Sequence, residues 1–225
     1  MFSHLAVADE PDQPETGEQV VRFRRAMALA EQAGLTLEVR HLANSPAILT
    51  RPDTHFDLVR AGLALYGLSP FPGSTPATFG LRPAMTVTSQ LANVKNVLAG
   101  QGVSYGLSYR TPVDTVLGLI PVGYADGIPR AATGGAVFLD GTIYPVAGTI
   151  AMDQMVIDLG QAARHPSATP LVGTPVVLFG SGEHGEPSVA SWAAAAGTVN
   201  YEIVTRVSPR IPRSFSMRMR PAEPP

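Results

Sequence analysis

The chain predicts an α/β segment over residues 1–80 followed by a β domain over residues 81–225. Three observations carry this reading. From Phe2 to Tyr66, apolar strand-like runs alternate with helical periodicity. From Gly67 to Pro83, prolines 70, 72, 76 and 83 and glycines 67, 73 and 80 interrupt any regular pattern. Beyond Pro83, short β-branched runs separated by turn residues dominate.

Each element has its own signal. Phe2–Ala8 is a short apolar run and reads as a strand, and the acidic, turn-rich Asp9–Gly17 follows it. Glu18–Ala33 places Val20, Phe23, Met27 and Ala30 on one helical face. Gly34 is set to end that helix in the left-handed conformation. Leu35–Leu42 alternates and reads as a second strand. Asn44 or Ser45 caps a short helix with Pro46 in its first turn, and Leu58–Tyr66 reads as a third strand. Strands alternating with helices imply a parallel sheet with covering helices. Three strands and two helices are too few to close one, so the segment reads as a piece of a barrel, or as half of a structure completed in trans.

In the second part, Met85–Val97, Thr115–Val122, Thr149–Leu159 and Pro175–Phe179 read as strands. Ala136–Leu139 and Thr142–Val146 flank Asp140-Gly141 and predict a hairpin. One late helix is predicted at Ser188–Ala196, stopped by Gly197, and Arg218–Pro225 reads as a loose tail.

Composition excludes several classes. The chain has 225 residues, a net charge of −2 and no basic stripe, which argues against nucleic acid as the main partner. With no cysteine, disulfides and thiolate metal sites are excluded. The five histidines lack metal-ligand spacing, so no metal is expected. No signal peptide or apolar run long enough to span a bilayer is visible, and a cytoplasmic protein without membrane partners is the expectation.

The residues that suggest chemistry form a series along both parts. They are His4, Asn44-Ser45-Pro46, Arg60-Ala61-Gly62-Leu63, Val103-Ser104-Tyr105-Gly106, Gly123-Tyr124-Ala125-Asp126-Gly127, Ile150-Ala151-Met152-Asp153-Gln154 and Asn200-Tyr201-Glu202. Hydroxyls and backbone N–H groups near a helix start suit a phosphate monoester, as at Ser45. Taken singly, Ser45 reads as a cap, Tyr124 as part of a turn and Met152 as core.

As a series, and in this order, these motifs resemble the alanine racemase family over nearly the whole chain. The resemblance implies a partial (β/α)8 TIM barrel followed by the family's C-terminal β domain. It implies pyridoxal 5′-phosphate as cofactor, L- and D-alanine as substrates, a role in cell-wall synthesis, and a homodimer whose active sites are shared between subunits. Ser45, the Gly62 and Leu63 N–H groups and Tyr201 would hold the phosphate. Arg60 would face the pyridine nitrogen and, being always charged, disfavour its protonation. His4 would lie beside the ring and connect Arg60 to Tyr105. Tyr105 would be the general base for the L-enantiomer, its high intrinsic pKa lowered by a positive His–Arg network. Tyr124 would stand at the substrate entrance, Met152 would meet the substrate carboxylate through its N–H, and Asp153 would hold that loop or the entrance.

The departures from the pattern matter equally. Lys95 is the single lysine among 16 basic residues, and it lies in a β-domain strand. The family's cofactor-anchoring lysine and its carboxylate-pairing arginine have no counterpart here. The chain by itself is therefore expected to be inactive. The alternative readings are a non-catalytic truncated fragment or dimerising β module, and a racemase acting on serine or a broader set of amino acids.

Overall fold

A computed structural model describes residues 1–165, 167 and 169–215. The sequence-predicted tail lies outside the described residues. The first part is built on helix α1 (Glu15–Gln32) and the short α2 (Ser45–Thr50). Helix α1 starts three residues earlier than its periodicity predicts and buries Val20 and Phe23 against Leu5, Leu42, Ala43 and Ala47. Gly34 follows it at φ +77°. Asn44 caps α2 through a bond from the Ala47 N–H.

The three strands predicted here do lie side by side and parallel, but each pairs at one residue only: Phe2 with His41, and His41 with Leu58. The third predicted strand ends instead in a 3₁₀ turn over Leu63–Tyr66. Parallel pairing is weaker per residue than antiparallel and depends on flanking strands and covering helices. Phe2 is 71% exposed and Leu58 45% exposed, so the outer residues of this pairing are uncovered.

Gly67 makes the crossing to the second part. At φ +69°, an added Cβ would sit 1.6 Å from the Arg82 carbonyl oxygen. The Ala84 N–H bonds back to the Tyr66 carbonyl, pinning both ends of the proline-rich stretch.

The β domain holds β1 (Val87–Gln90), β2 (Asn93–Val97), β3 (Gly102–Val103), β4 (Tyr109–Arg110), β5 (Thr115–Ile120), β6 (Ala136–Leu139), β7 (Thr142–Pro145), β8 (Met155–Gly160) and β9 (Pro175–Phe179). They form antiparallel sheets in the orders β1-β9-β6-β7 and β2-β5-β8, with β3-β4 as a separate hairpin.

Met85–Val97, predicted as one strand, is two. Leu91 exchanges bonds with Gly173 and Thr174 on the first sheet, and Ala92 bonds Leu119 on the second. Of Thr149–Leu159 only the second half is strand. The Ala151 and Met152 carbonyls are engaged by Tyr124 and Ala125 instead. Asp140 (φ +45°) and Gly141 (φ +82°) turn the predicted hairpin.

Helix α3 (Val189–Ala196) is stopped by Gly197 as predicted, with Ser188 as its cap rather than its first residue, whereas α4 (Asn200–Arg206) was not foreseen. The core centres on Trp192, whose indole N–H donates to the Leu178 carbonyl at 2.6 Å. Leu63 and Leu68 from the first part join it. Among the described residues, no helix is long and apolar enough to cross a membrane.

Candidate functional site

Three elements meet at Ser45. It is 2% exposed at the start of α2, and its Oγ accepts from the Gly62 N–H (2.9 Å) and the Ala64 N–H (3.3 Å). Tyr201 reaches the same hydroxyl from α4, across the boundary between the two parts. A Cβ on Gly62 would sit 3.7 Å from Ser45 Oγ and 3.9 Å from Tyr201 Cε1, so side-chain-free backbone faces both groups. Leu63 is buried beside them. Burial raises the Tyr201 pKa, the Ser45 bond lowers it, and nearby Asp9 adds to the rise. The Ser45 hydroxyl and the Tyr201 phenol converge on one point as neutral groups suited to phosphate oxygens, while the Gly62 N–H is engaged by Ser45 Oγ.

Arg60 is locked next to this point. Its N–H bonds the Ala43 carbonyl. Its Nη2 donates to the carbonyls of Ser3 (2.8 Å) and Leu42 (3.2 Å) and to His4 Nδ1 (3.1 Å), and its Nη1 donates to His41 Nδ1 (2.7 Å). A guanidinium only donates, so both imidazoles accept at Nδ1 and keep their N–H on Nε2. The guanidinium brings a permanent positive charge to this network.

The His4 backbone is held by Gln19 of α1, whose amide donates to the His4 carbonyl and accepts from the Ala6 N–H. His41 escaped the sequence reading. It stacks on Phe2 at 5.2 Å and 4°, and only the parallel pairing of Phe2 with His41 places it next to His4.

Tyr105 stands elsewhere. It lies on the β3–β4 hairpin, 70% exposed, and among the described residues no hydrogen bond or ring contact joins its side chain to His4 or Arg60. It lines a cavity of about 370 Å³ together with Ala151, Gln154 and Met155. The Tyr124 and Met152 loops are clamped together. Tyr124 N–H bonds the Ala151 carbonyl (3.0 Å), and Ala125 N–H bonds the Met152 carbonyl (2.9 Å). Gly123 permits this approach, because a Cβ there would lie 2.3 Å from the Ala151 oxygen.

Met152 is exposed, and its N–H has no acceptor among the described residues. Asp153 pairs with Arg210 at 2.8 Å, and Arg210 also approaches Asp126 at 3.6 Å. Asp126 in turn accepts from the Gly123 N–H. The pairing of Arg210 with Asp126 was not foreseen, since it depends on a return of the chain 84 residues later. Lys95 is exposed on β2 and makes no ion pair among the described residues.

A parallel barrel piece with a neutral polar cluster, a half-buried arginine beside it and a tyrosine-bearing β domain define a two-domain class of barrel protein with a candidate cofactor pocket. Comparisons narrow this. Residues 1–70 match the model of the alanine racemase N-terminal domain, and residues 84–215 that of its C-terminal domain. The chain belongs to the alanine racemase family.

The alanine racemase of Streptomyces coelicolor is 57% identical over 217 residues, 96% of this chain and 54% of that protein. That of Thermobifida fusca is 51% identical over 98% of this chain and 57% of its own length. The solved Streptomyces coelicolor structure superposes with a TM-score of 0.89 over 95% of this chain and 55% of that one. The Bacillus anthracis enzyme with bound L-Ala-P, 34% identical, gives 0.86 over 99% and 56%. The chain thus spans about half the length of the curated relatives it matches.

Proposed function

We propose that this chain carries the phosphate-holding and tyrosine-bearing part of a pyridoxal-phosphate alanine racemase, which interconverts L- and D-alanine in the cytoplasm for peptidoglycan synthesis. The observation that carries the reading is the convergence of Ser45, Gly62 and Tyr201 beside an arginine locked to two imidazoles. These residues fit the cofactor: the neutral donors with the Leu63 backbone would hold its phosphate, and Arg60 and His4 would border its ring. When bound, the cofactor supplies an electron-withdrawing ring that acidifies the alanine Cα–H.

The chain's own residues do the rest. Arg60, held by its contacts and permanently charged, opposes protonation on its side of the ring. Tyr105 Oη takes and returns the proton on the face from which L-alanine reacts. The unpaired Met152 N–H binds the substrate carboxylate, with Tyr124 at the entrance and Asp153 fixing the loop through Arg210. An exposed Tyr105 with no link to its own chain's Arg60 favours a homodimer in which it serves the partner's site.

The only lysine is on β2, so this chain alone is proposed to be inactive. The test is Cα–H exchange of L-alanine in D2O with added pyridoxal phosphate, followed by NMR. The chain alone should match free cofactor. Adding the lysine-bearing segment of a relative in trans should restore exchange that Tyr105→Phe abolishes. Exchange by the chain alone, trapped on Lys95 by borohydride, would overturn the assignment.

A further inference from the structure

The outer face of the β2-β5-β8 sheet carries one carboxylate. Along β8 the residues facing outward are Val156 and Asp158, and their partners on β5 are Leu119 and Leu117. An apolar residue would suit position 158 by pattern, and burying part of a carboxylate is costly unless it is bonded. Asp158 is bonded fully. It accepts from the Thr115 hydroxyl (2.5 Å), the Gly160 N–H (2.9 Å) and the Tyr109 hydroxyl, with no cation among its described partners.

Tyr109 lies on β4, four residues beyond Tyr105, on a hairpin with two residues in each strand. Such a hairpin does not hold itself. It also carries backbone strain at Ser104 (φ +59°) and Leu107 (φ +48°), either side of Tyr105. A groove of about 240 Å³ separates its β3 side from the sheet, so packing there is incomplete. On the far side, Ser104 Oγ donates to the Thr149 carbonyl (2.5 Å) and Thr149 Oγ1 donates to the Tyr105 carbonyl (3.2 Å).

We infer that Asp158 is a positioning residue for Tyr105: through Tyr109 it latches the β4 end of the hairpin to the sheet, while Thr149 holds the β3 end, and together they fix where the Tyr105 phenol points. This rests on the reading of Tyr105 as the base, but its NMR test does not.

The experiment is NMR of the chain with 13C-labelled tyrosine rings, Tyr105 being assigned by Tyr105→Phe, in Asp158→Asn and Tyr109→Phe. Both variants should shift or broaden the Tyr105 ring signal and leave those of Tyr144 and Tyr201 in place. An unmoved Tyr105 signal in Tyr109→Phe, or equal movement of all tyrosines, overturns the inference. Should Asp158→Asn fail to fold, Tyr109→Phe decides alone, because it removes one hydroxyl and no ring. In a chain complemented to turnover, Asp158→Asn should lower kcat on the order of 10-fold or more with alanine KM unchanged. A raised KM with unchanged kcat overturns it equally. Failure of complementation would count against the racemase reading only.

Discussion

Ser45 concentrates much of the site's chemistry in one oxygen. It is buried and already accepts two backbone N–H bonds. Ser45→Ala should leave those donors unsatisfied at a cost of about 1–3 kcal/mol. Pyridoxal-phosphate affinity should fall about tenfold, a change worth about 1.4 kcal/mol, as measured by fluorescence titration. The helix start at Asn44-Ser45 was legible from its residue types, with Asn44 proving to be the cap, and the phosphate role proposed for Ser45 comes from the family resemblance. Its partnership with Tyr201 was legible only through the family. The segment 200–206 gave no helical signal strong enough to predict α4. His41 and Arg210 were not legible at all, because each gains meaning from a partner distant in the chain.

At the scale of elements, two titrations report on two junctions. The Arg40 guanidinium and N–H hold the Asp57 carboxyl down at about 2. A depressed acid contributes stability above its unfolded value near 4 and loses it as pH falls through 2. The protection factors of the Arg40 and Asp57 amides should therefore fall across that window, and Asp57→Asn should remove that pH dependence.

Tyr109 moves the other way. Burial first, then Asp158, push its phenol up to about 12. Its contribution is complete below pH 10 and lost as pH rises through 12, which an alkaline absorbance titration with and without Tyr109→Phe would read. Gly67→Ala is the harshest change expected between elements. The added carbon would overlap the Arg82 oxygen at an unfavourable φ, costing more than about 2 kcal/mol in urea denaturation.

The hairpin at Asp140-Gly141 and helix α3 were predicted from local chemistry and observed. Locally ambiguous strands fared worse. Met85–Val97 reads as one run because nothing local marks Leu91 as the point where pairing changes sheets.

Over the whole molecule, burial is uneven. The β domain's core gathers Trp192, Phe179, Ile157 and many others, whereas the first part's own cluster is small and built on single-residue pairings. Helix α1 has no side-chain cap and no basic residue in its last turn. Urea should therefore melt the molecule in two stages: α1 helicity, seen by far-ultraviolet circular dichroism, is lost before Trp192 fluorescence changes. Coincident transitions would show that the parts unfold as one.

The meeting of Tyr201 with Ser45 gives this unevenness a thermodynamic consequence. A phosphate seated there, as proposed, would be gripped by one residue from each half, so its binding free energy would act as a cross-link between a loose lobe and a firm one. By mass action, ligand at one hundred times its dissociation constant adds about 2.7 kcal/mol to whatever state can bind it. That gain should fall on the early transition and leave the late one in place, so a vitamin-derived phosphate ester would act as a folding cofactor for the weaker lobe before any proton moves.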